Sequence, residues 1–266
     1  EKVILALPKC TVMMGVPTYY SILLSSQNLN KSNTSNVRLF ISGSAPLLED
    51  TFQEFKSRTG KEILERYGMT ETNIISSNPI EGKRKPSSVG LCLQGQKLRI
   101  VDDANKPLNV EEIGDIQVSG PNVFKGYWNL PDKTAEEFTS DNYFETGDKG
   151  YLDKDGYLFI VGRNKDMIIS GGLNIYPKEV ETFIDEIDGV NESAVIGLKD
   201  DDFGEKVVAI VVLDEKSDLK EAEIINLAKE SIAGFKVPKE VIFINELPRN
   251  AMGKVQKNIL RDFYKG

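Results

Sequence analysis

The sequence predicts an α/β large-domain fragment that carries a β-rich subdomain, followed by a small α+β C-terminal domain. Three observations predict it. Residues 37–72 alternate strand, loop, helix, strand and loop, the rhythm of an α/β layer whose loops present ligands at strand ends. Residues 89–163 change to short strands with frequent turns. From residue 164 to 266, a helix with a complete apolar face is interleaved with further strands. The expected domains are therefore 1–163, with the β-rich part at about 89–163, and 164–266, joined at the charged segment 163–166.

In the first region, residues 37–42 form a short apolar strand that ends in Gly43-Ser44-Ala45-Pro46. A helix follows with Leu48, Phe52 and Phe55 at spacings of four and three, and Gly60 stops it. Residues 62–65 make a second strand that empties into Arg66-Tyr67-Gly68-Met69-Thr70-Glu71-Thr72. In the β-rich region the expected strands are 98–101, 116–118, 143–144 and 157–161. Asp153-Lys154-Asp155-Gly156 reads as a hairpin turn, because Asp and Gly tolerate its backbone angles. It opens like a calcium loop, but the remainder of that motif is missing. Farther on, Ile168-Ile169 makes a strand before the turn Gly171-Gly172. A helix from Lys178 aligns Val180, Phe183, Ile184 and Ile187 on one face. Strands at 194–196 and 207–213, a helix capped by Asp218 and running to Ile232, and a strand at 241–244 complete the unit.

Composition excludes several function classes. The 266 residues are 40% hydrophobic, enough to fill a core. A net charge of -8, from 33 Lys+Arg against 41 Asp+Glu, removes the basic face that a nonspecific nucleic-acid binder needs. With no histidine, no Ser-His-Asp or Cys-His relay and no histidine metal site can form. Cys10 and Cys92 are too few for a zinc centre or a disulfide framework, and read as reduced thiols of a cytoplasmic protein. The longest apolar run, 207–213, is far too short to span a membrane. No basic segment followed by an apolar one opens the chain. Glu1 instead stands directly before an apolar run with no methionine, which reads as the start of a cut piece.

Each motif that can carry chemistry has two readings when taken singly. Gly43-Ser44-Ala45-Pro46 is either a plain strand-to-helix turn or backbone that faces a nucleotide. Tyr67-Gly68-Met69-Thr70-Glu71 sets an aromatic ring, a hydroxyl and a carboxylate beside a strand end. It is a buried tyrosine next to a solvated loop, or a ring that stacks on a base while Thr70 and Glu71 hold Mg2+ and phosphate. Thr146-Gly147-Asp148 is a turn, or a carboxylate that grips two ribose hydroxyls. Gly162-Arg163-Asn164-Lys165-Asp166 is a charged linker, or places Arg163 on ribose or phosphate. Lys254, at the end of Pro248-Arg249-Asn250-Ala251-Met252-Gly253-Lys254, is a solvated loop lysine, or a charge that is delivered and later withdrawn.

Taken together and in order, these motifs resemble the adenylate-forming acyl-CoA synthetase superfamily, which also holds nonribosomal-peptide adenylation domains and luciferases. The resemblance runs over essentially the whole chain. Besides the motifs above it includes Ser42, Thr72, Gly126-Tyr127-Trp128 and Gly171-Gly172-Leu173-Asn174-Ile175-Tyr176-Pro177-Lys178-Glu179-Val180-Glu181. It implies an acid–thiol ligase that uses ATP, Mg2+ and coenzyme A, forms an acyl-adenylate with release of pyrophosphate, then an acyl-CoA with release of AMP. By resemblance, Lys254 bridges the substrate carboxylate and the α-phosphate, and Thr70 and Glu71 serve phosphate and Mg2+. Tyr67 stacks on the adenine beside the backbone of Gly43, Ser44 and Ala45, and Gly68 and Met69 complete the nucleotide-binding stretch. Asp148 holds the ribose hydroxyls, Arg163 supports the ribose side, Lys165 is the hinge, and Gly171 and Gly172 line the path of the coenzyme A arm.

Three segments are similar to malonyl-CoA synthetases in particular: Met13-Met14-Gly15-Val16-Pro17-Thr18-Tyr19-Tyr20, the stretch 65–73 and the stretch 248–258. This implies a small carboxylic acid, malonate, as substrate. Its second carboxylate needs a cation, and Arg66 is the candidate in this chain. The alternatives are a short- or medium-chain acyl-CoA synthetase, a carrier-protein-loading adenylation domain, or a non-catalytic nucleotide-binding module. The superfamily's Ser/Thr/Gly-rich loop ending in lysine, which cradles the β- and γ-phosphates, has no match here. Family members are also much longer, so the resemblance implies the C-terminal portion of a synthetase, inactive by itself.

Overall fold

The computed structural model describes residues 1–250 and 253–265. It divides into two units, Glu1–Ile160 and Val161–Gly266, so the division falls at 160/161 where the sequence suggested 163/164.

The first unit opens with α1 (Lys2–Ala6), β1 (Val12–Gly15) and α2 (Pro17–Leu24), followed by β2 (Leu39–Ser42), α3 (Glu49–Thr59) and β3 (Ile63–Met69). The three strands pair in parallel, with Gly15 opposite Ser42 and Ser42 opposite Glu65. Parallel pairing sends the loops that leave their carboxyl ends to one edge of the layer, where α/β proteins bind ligands. Phe52 and Phe55 bury the inner face of α3, and the Tyr20 and Phe40 rings meet Phe55 edge-on at 5.4 and 4.9 Å. Glu49 and Asp50 lie in the first turn, Lys56 and Arg58 in the last, and Gly60 ends the helix at φ 71.

Beyond β3 the sheet turns antiparallel through β4 (Asn73–Ser77), β5 (Gly90–Cys92), β6 (Lys97–Val101) and β7 (Gly114–Ser119). The short α4 (Pro131–Glu136) precedes β8 (Phe144–Leu152) and β9 (Tyr157–Arg163). Among the described residues the strand order is β1-β2-β3-β4-β5-β9-β8-β7-β6. Two expectations change here. β3 does not end at residue 65 but runs through the Arg66–Met69 motif, because residues 66–69 gain an antiparallel partner in β4. Thr146-Gly147-Asp148 is not a turn but a bulge inside β8: Lys149 pairs with Asp115 and Glu145 with Gln117, so Ile116 alone stands opposite the three residues between.

The second unit contains β10 (Ile168–Ser170), β11 (Leu173–Ile175), α5 (Pro177–Asp185), β12 (Val190–Asp200) and β13 (Gly204–Leu213). It continues with α6 (Glu221–Ser231), β14 (Glu240–Phe243) and α7 (Lys257–Tyr264). Its sheet runs β11-β10-β13-β12, with β14 parallel to β13. Val180 and Ile184 of α5 are fully buried, with Phe183 and Ile187 packed beside them. Strands β12 and β13 extend well past their apolar cores because the hairpin pairs polar positions too, such as Lys199 with Glu205. Asp218 does not cap α6: the Glu223 carboxylate accepts the Lys220 N–H at 2.8 Å and sets the first turn two residues later.

Candidate functional site

At the end of β2, Gly43 sits where a Cβ would lie 2.9 Å from the Arg66 guanidinium carbon and 3.0 Å from the Arg66 carbonyl oxygen. Glycine lets the 43–47 loop pass this close to β3 without displacing the Arg66 guanidinium or crowding its carbonyl. Ser44 adopts φ 73, a left-handed conformation for a residue with a Cβ, and Ser44 and Ala45 are exposed at the loop's crest. The Leu47 N–H donates to Glu65 Oε2 at 3.4 Å and the Ser87 N–H to Glu65 Oε1 at 3.2 Å. Glu65 is 4% exposed, and burial pushes its carboxyl up to about 8, against the pull of those two N–H groups. The sequence gives Glu65 no role, because nothing local distinguishes a glutamate that a later fold will bury.

Two buried polar atoms at these strand ends, Ser42 Oγ and Arg66 Nε, have no hydrogen-bond partner among the described residues. Unpaired polar atoms in such a place are costly unless something else pairs them.

One residue farther along β3, the Tyr67 hydroxyl donates to Asp148 Oδ2. This joins two expected nucleotide residues 81 positions apart. Both are buried, and the Tyr67 ring packs with Ile75, Ile116 and Phe144. The bulge in β8 turns Asp148 inward: Gly147 takes φ 69, and Thr146 Oγ1 donates to the Ile116 carbonyl at 2.8 Å. The Asp148 N–H donates to Thr146 Oγ1 at 3.2 Å. Gly68 has no room for a side chain, since a Cβ would stand 1.9 Å from the Asn73 carbonyl oxygen.

Turn 69–73 then carries Thr70 and Glu71 outward. Thr70 is exposed and Glu71 half-buried. The Phe124 N–H donates to the Glu71 carbonyl at 2.7 Å, and the Tyr127 hydroxyl to Glu71 Oε1 at 3.1 Å. No group of three or more His, Cys, Asp or Glu able to hold a metal exists among the described residues. One carboxylate beside one hydroxyl nevertheless suits Mg2+, which keeps its waters and binds through one or two carboxylates plus substrate phosphates.

The first unit thus brings together Gly43 with Arg66, and Tyr67 with Asp148, and it grips Glu71 from the 122–127 segment. In the second unit the expected residues fall on three segments of the chain, 163–165, 171–172 and 254. Arg163 ends β9, and Lys165 is exposed on the single 3-10 turn Asn164–Asp166, where Asp166 accepts from Arg261 at 2.8 Å. Gly171 and Gly172 form a two-residue hairpin turn with φ 59 and 78, pairing Ser170 with Leu173. The Gly171 N–H donates to the Phe203 carbonyl at 2.9 Å, whereas nothing lies within 4 Å of a Cβ on Gly172.

Lys254 is exposed on a hairpin closed by the Arg249 and Val255 bridge. Its N–H donates to Asn250 Oδ1 at 3.0 Å and its carbonyl accepts the Asn250 N–H at 2.9 Å. Arg249 pairs with Glu192 on β12, and Lys257 with the buried Glu181 on α5, so both legs of the hairpin are anchored. Ala251 and Met252 of this motif lie outside the described residues.

Two families match the chain: AMP-binding enzyme over residues 4–128, and AMP-binding enzyme C-terminal domain over residues 179–254. The chain belongs to the AMP-binding, adenylate-forming enzyme superfamily. It is similar to malonate–CoA ligase of Arabidopsis thaliana, 38% identical over 94% of this chain and 44% of the relative. A long-chain-fatty-acid–CoA ligase of Bacillus subtilis is 39% identical over 95% and 45%. Among solved structures, ATP-bound MatB from Rhodopseudomonas palustris matches at 52% identity with a TM-score of 0.96, over 99% of this chain and 53% of that one. An anthranilate CoA ligase in complex with anthranoyl-AMP matches at 32% identity and a TM-score of 0.89, over 99% and 52%. The chain spans about half the length of the relatives it matches.

Proposed function

We propose that the full-length protein is an ATP-dependent acid–CoA ligase whose acid is malonate. The observation that carries this reading is the meeting, at one end of a parallel layer, of the Gly43 loop with Arg66 and of Tyr67 with Asp148. The similarity to a malonate–CoA ligase and to an ATP-bound MatB supports it.

In the first half-reaction a carboxylate oxygen attacks the ATP α-phosphorus in line, the bond to the β-phosphate bridging oxygen breaks, and pyrophosphate leaves. An anion is brought against a polyanion, so positioning and positive charge carry most of the catalysis. Lys254 supplies that charge between carboxylate and α-phosphate. The backbone of Gly43, Ser44 and Ala45 and the residues Tyr67, Gly68 and Met69 border the adenine, Asp148 holds the ribose hydroxyls and Arg163 supports the ribose side. Glu71 and Thr70 would hold Mg2+, which when bound offsets the phosphate charge. In the second half-reaction the coenzyme A thiolate attacks the acyl carbonyl and AMP leaves. Gly172, with nothing among the described residues within 4 Å of where a Cβ would stand, leaves room for the thiol arm beside Gly171.

The test is to incubate the full-length protein with Mg-ATP, coenzyme A and, separately, malonate, methylmalonate, acetate and octanoate, reading acyl-CoA by mass. Malonyl-CoA as the dominant product is the expected result. Octanoyl-CoA as the dominant product would retire malonate in favour of a monocarboxylate, the reading that the similarity to a long-chain ligase favours. No product with any acid, alongside AMP binding, would point to carrier-protein loading or a module without catalysis.

The orphaned Arg66 Nε and Ser42 Oγ support Arg66 as the partner of the second carboxylate. Removing one member of a buried charge pair typically costs about 2–5 kcal/mol. Arg66→Ala is therefore expected to lower kcat/KM for malonate by about 10²-fold while acetate changes by less than about threefold. Equal losses for both acids would show that Arg66 does not read the second carboxylate.

Lys165 serves as the hinge between the two half-reactions in this proposal. Proline fixes φ near -65°, which a hinge residue must be free to change. We expect Lys165→Pro to slow thioester formation at least about tenfold more than adenylation, since conformational steps often limit such enzymes. Pre-steady-state measurement of the two steps checks it, and equal slowing would remove the hinge from Lys165.

A further inference from the structure

Gly126-Tyr127-Trp128 lies within the resemblance, yet the mechanism above gives it nothing to do. Its surroundings do. Segment 122–127 wraps turn 69–73: the Asn122 side-chain amide donates to the Thr72 carbonyl, and the Phe124 N–H to that of Glu71 at 2.7 Å. The Tyr127 hydroxyl then donates to Glu71 Oε1 at 3.1 Å. Among the described residues no hydrogen bond reaches Oε2.

Tyr127 is itself fixed. Its N–H donates to Thr134 Oγ1 at 2.9 Å, and that hydroxyl donates to the Leu130 carbonyl at 2.9 Å. Its ring meets Phe124 edge-on at 4.8 Å. Gly126 permits this grip, because a Cβ there would lie 2.6 Å from Thr134 Cγ2 and 2.9 Å from Thr134 Oγ1.

We infer that Tyr127 is a positioning residue for Glu71: its hydroxyl occupies one carboxylate oxygen and so aims the other at the Mg2+ that accompanies the nucleotide. The inference rests on the nucleotide reading proposed above. Groups that orient a metal ligand in this way typically govern about 10–100-fold in metal affinity. Tyr127→Phe removes only the hydroxyl and keeps the ring contact with Phe124.

The experiment uses the full-length protein, Mn2+ as the probe and a non-hydrolysable ATP analogue, with free Mn2+ read by electron paramagnetic resonance. Metal-free AMP affinity is measured by calorimetry and folding by thermal unfolding. Tyr127→Phe is expected to weaken Mn2+ in the protein–nucleotide complex about tenfold, leaving AMP affinity and the unfolding midpoint unchanged. Unchanged Mn2+ affinity would overturn the inference, as would AMP affinity that falls by the same factor. If Tyr127→Phe matches the wild type and only Tyr127→Leu is weakened, ring packing and not the hydroxyl matters, and the inference falls. A wild-type protein that binds neither AMP nor the metal–nucleotide complex would overturn the functional reading along with it, whereas normal wild-type binding isolates the failure to Tyr127.

Discussion

Replacing Lys254 by alanine in the full-length protein is expected to slow acyl-adenylate formation by about 10²-fold or more, the cost of one lost electrostatic contact in a transition state. The local geometry makes this a clean charge deletion. Both main-chain groups of Lys254 are bound to Asn250, the legs of its hairpin are anchored by Arg249 with Glu192 and Lys257 with Glu181, and none of these contacts uses the lysine side chain. The hairpin should therefore survive the substitution. Pyrophosphate release on mixing with ATP and acid measures the first half-reaction. Coenzyme A added to chemically prepared acyl-adenylate measures the second, which should change by less than about threefold because the bridging charge is no longer needed. Adenylation that persisted at the wild-type rate would remove Lys254 from the chemistry. Equal losses in the two steps would assign it to something both share, such as nucleotide binding.

The sequence exposes local features of this fold far better than distant ones. Helix α3 with its Gly60 stop, the apolar face of α5 and the Gly171-Gly172 turn all rest on spacing or on one residue's backbone freedom, and the structure contains each. The continuation of β3 through residues 66–69 depends on its partner strand β4, and the bulge at residues 146–148 on the register of β8 against its neighbour β7. Neither leaves a mark in the residues themselves. The parallel strand β1 is hidden in the sequence for the same reason, since its pairing lies with β2, past a helix and a long loop. For the site, the motifs and the resemblance they carry name Tyr67, Asp148 and Glu71 as types of group. That Tyr67 would touch Asp148 and that Tyr127 would touch Glu71 follows from contacts across 81 and 56 residues, which only the folded chain supplies.

Gly68→Ala is the substitution with the largest expected effect on stability, and it tests why a glycine follows Tyr67. The position needs no unusual backbone angle, for Gly68 is absent from the residues with positive φ. The obstacle is space. A Cβ would lie 1.9 Å from the Asn73 carbonyl oxygen and 2.8 Å from the Ile74 Cα, and both are backbone atoms of the paired strand β4. Backbone cannot swing aside as a side-chain tip can, so β4 must separate from β3 at the register shift between Tyr67 and Gly68. Overpacking of this kind costs about 3 kcal/mol or more where nothing can yield. It would also displace turn 69–73 and with it Glu71. The expected result in the full-length protein is a urea midpoint lowered with little change in slope, together with weakened AMP binding. Gly172→Ala is the comparison: its Cβ meets open space, so only the left-handed backbone at φ 78 resists it, at about 1–2 kcal/mol. A Gly68→Ala protein as stable as Gly172→Ala would mean that β3 and β4 have slack at this register, and that Gly68 is kept for the approach of a ligand instead.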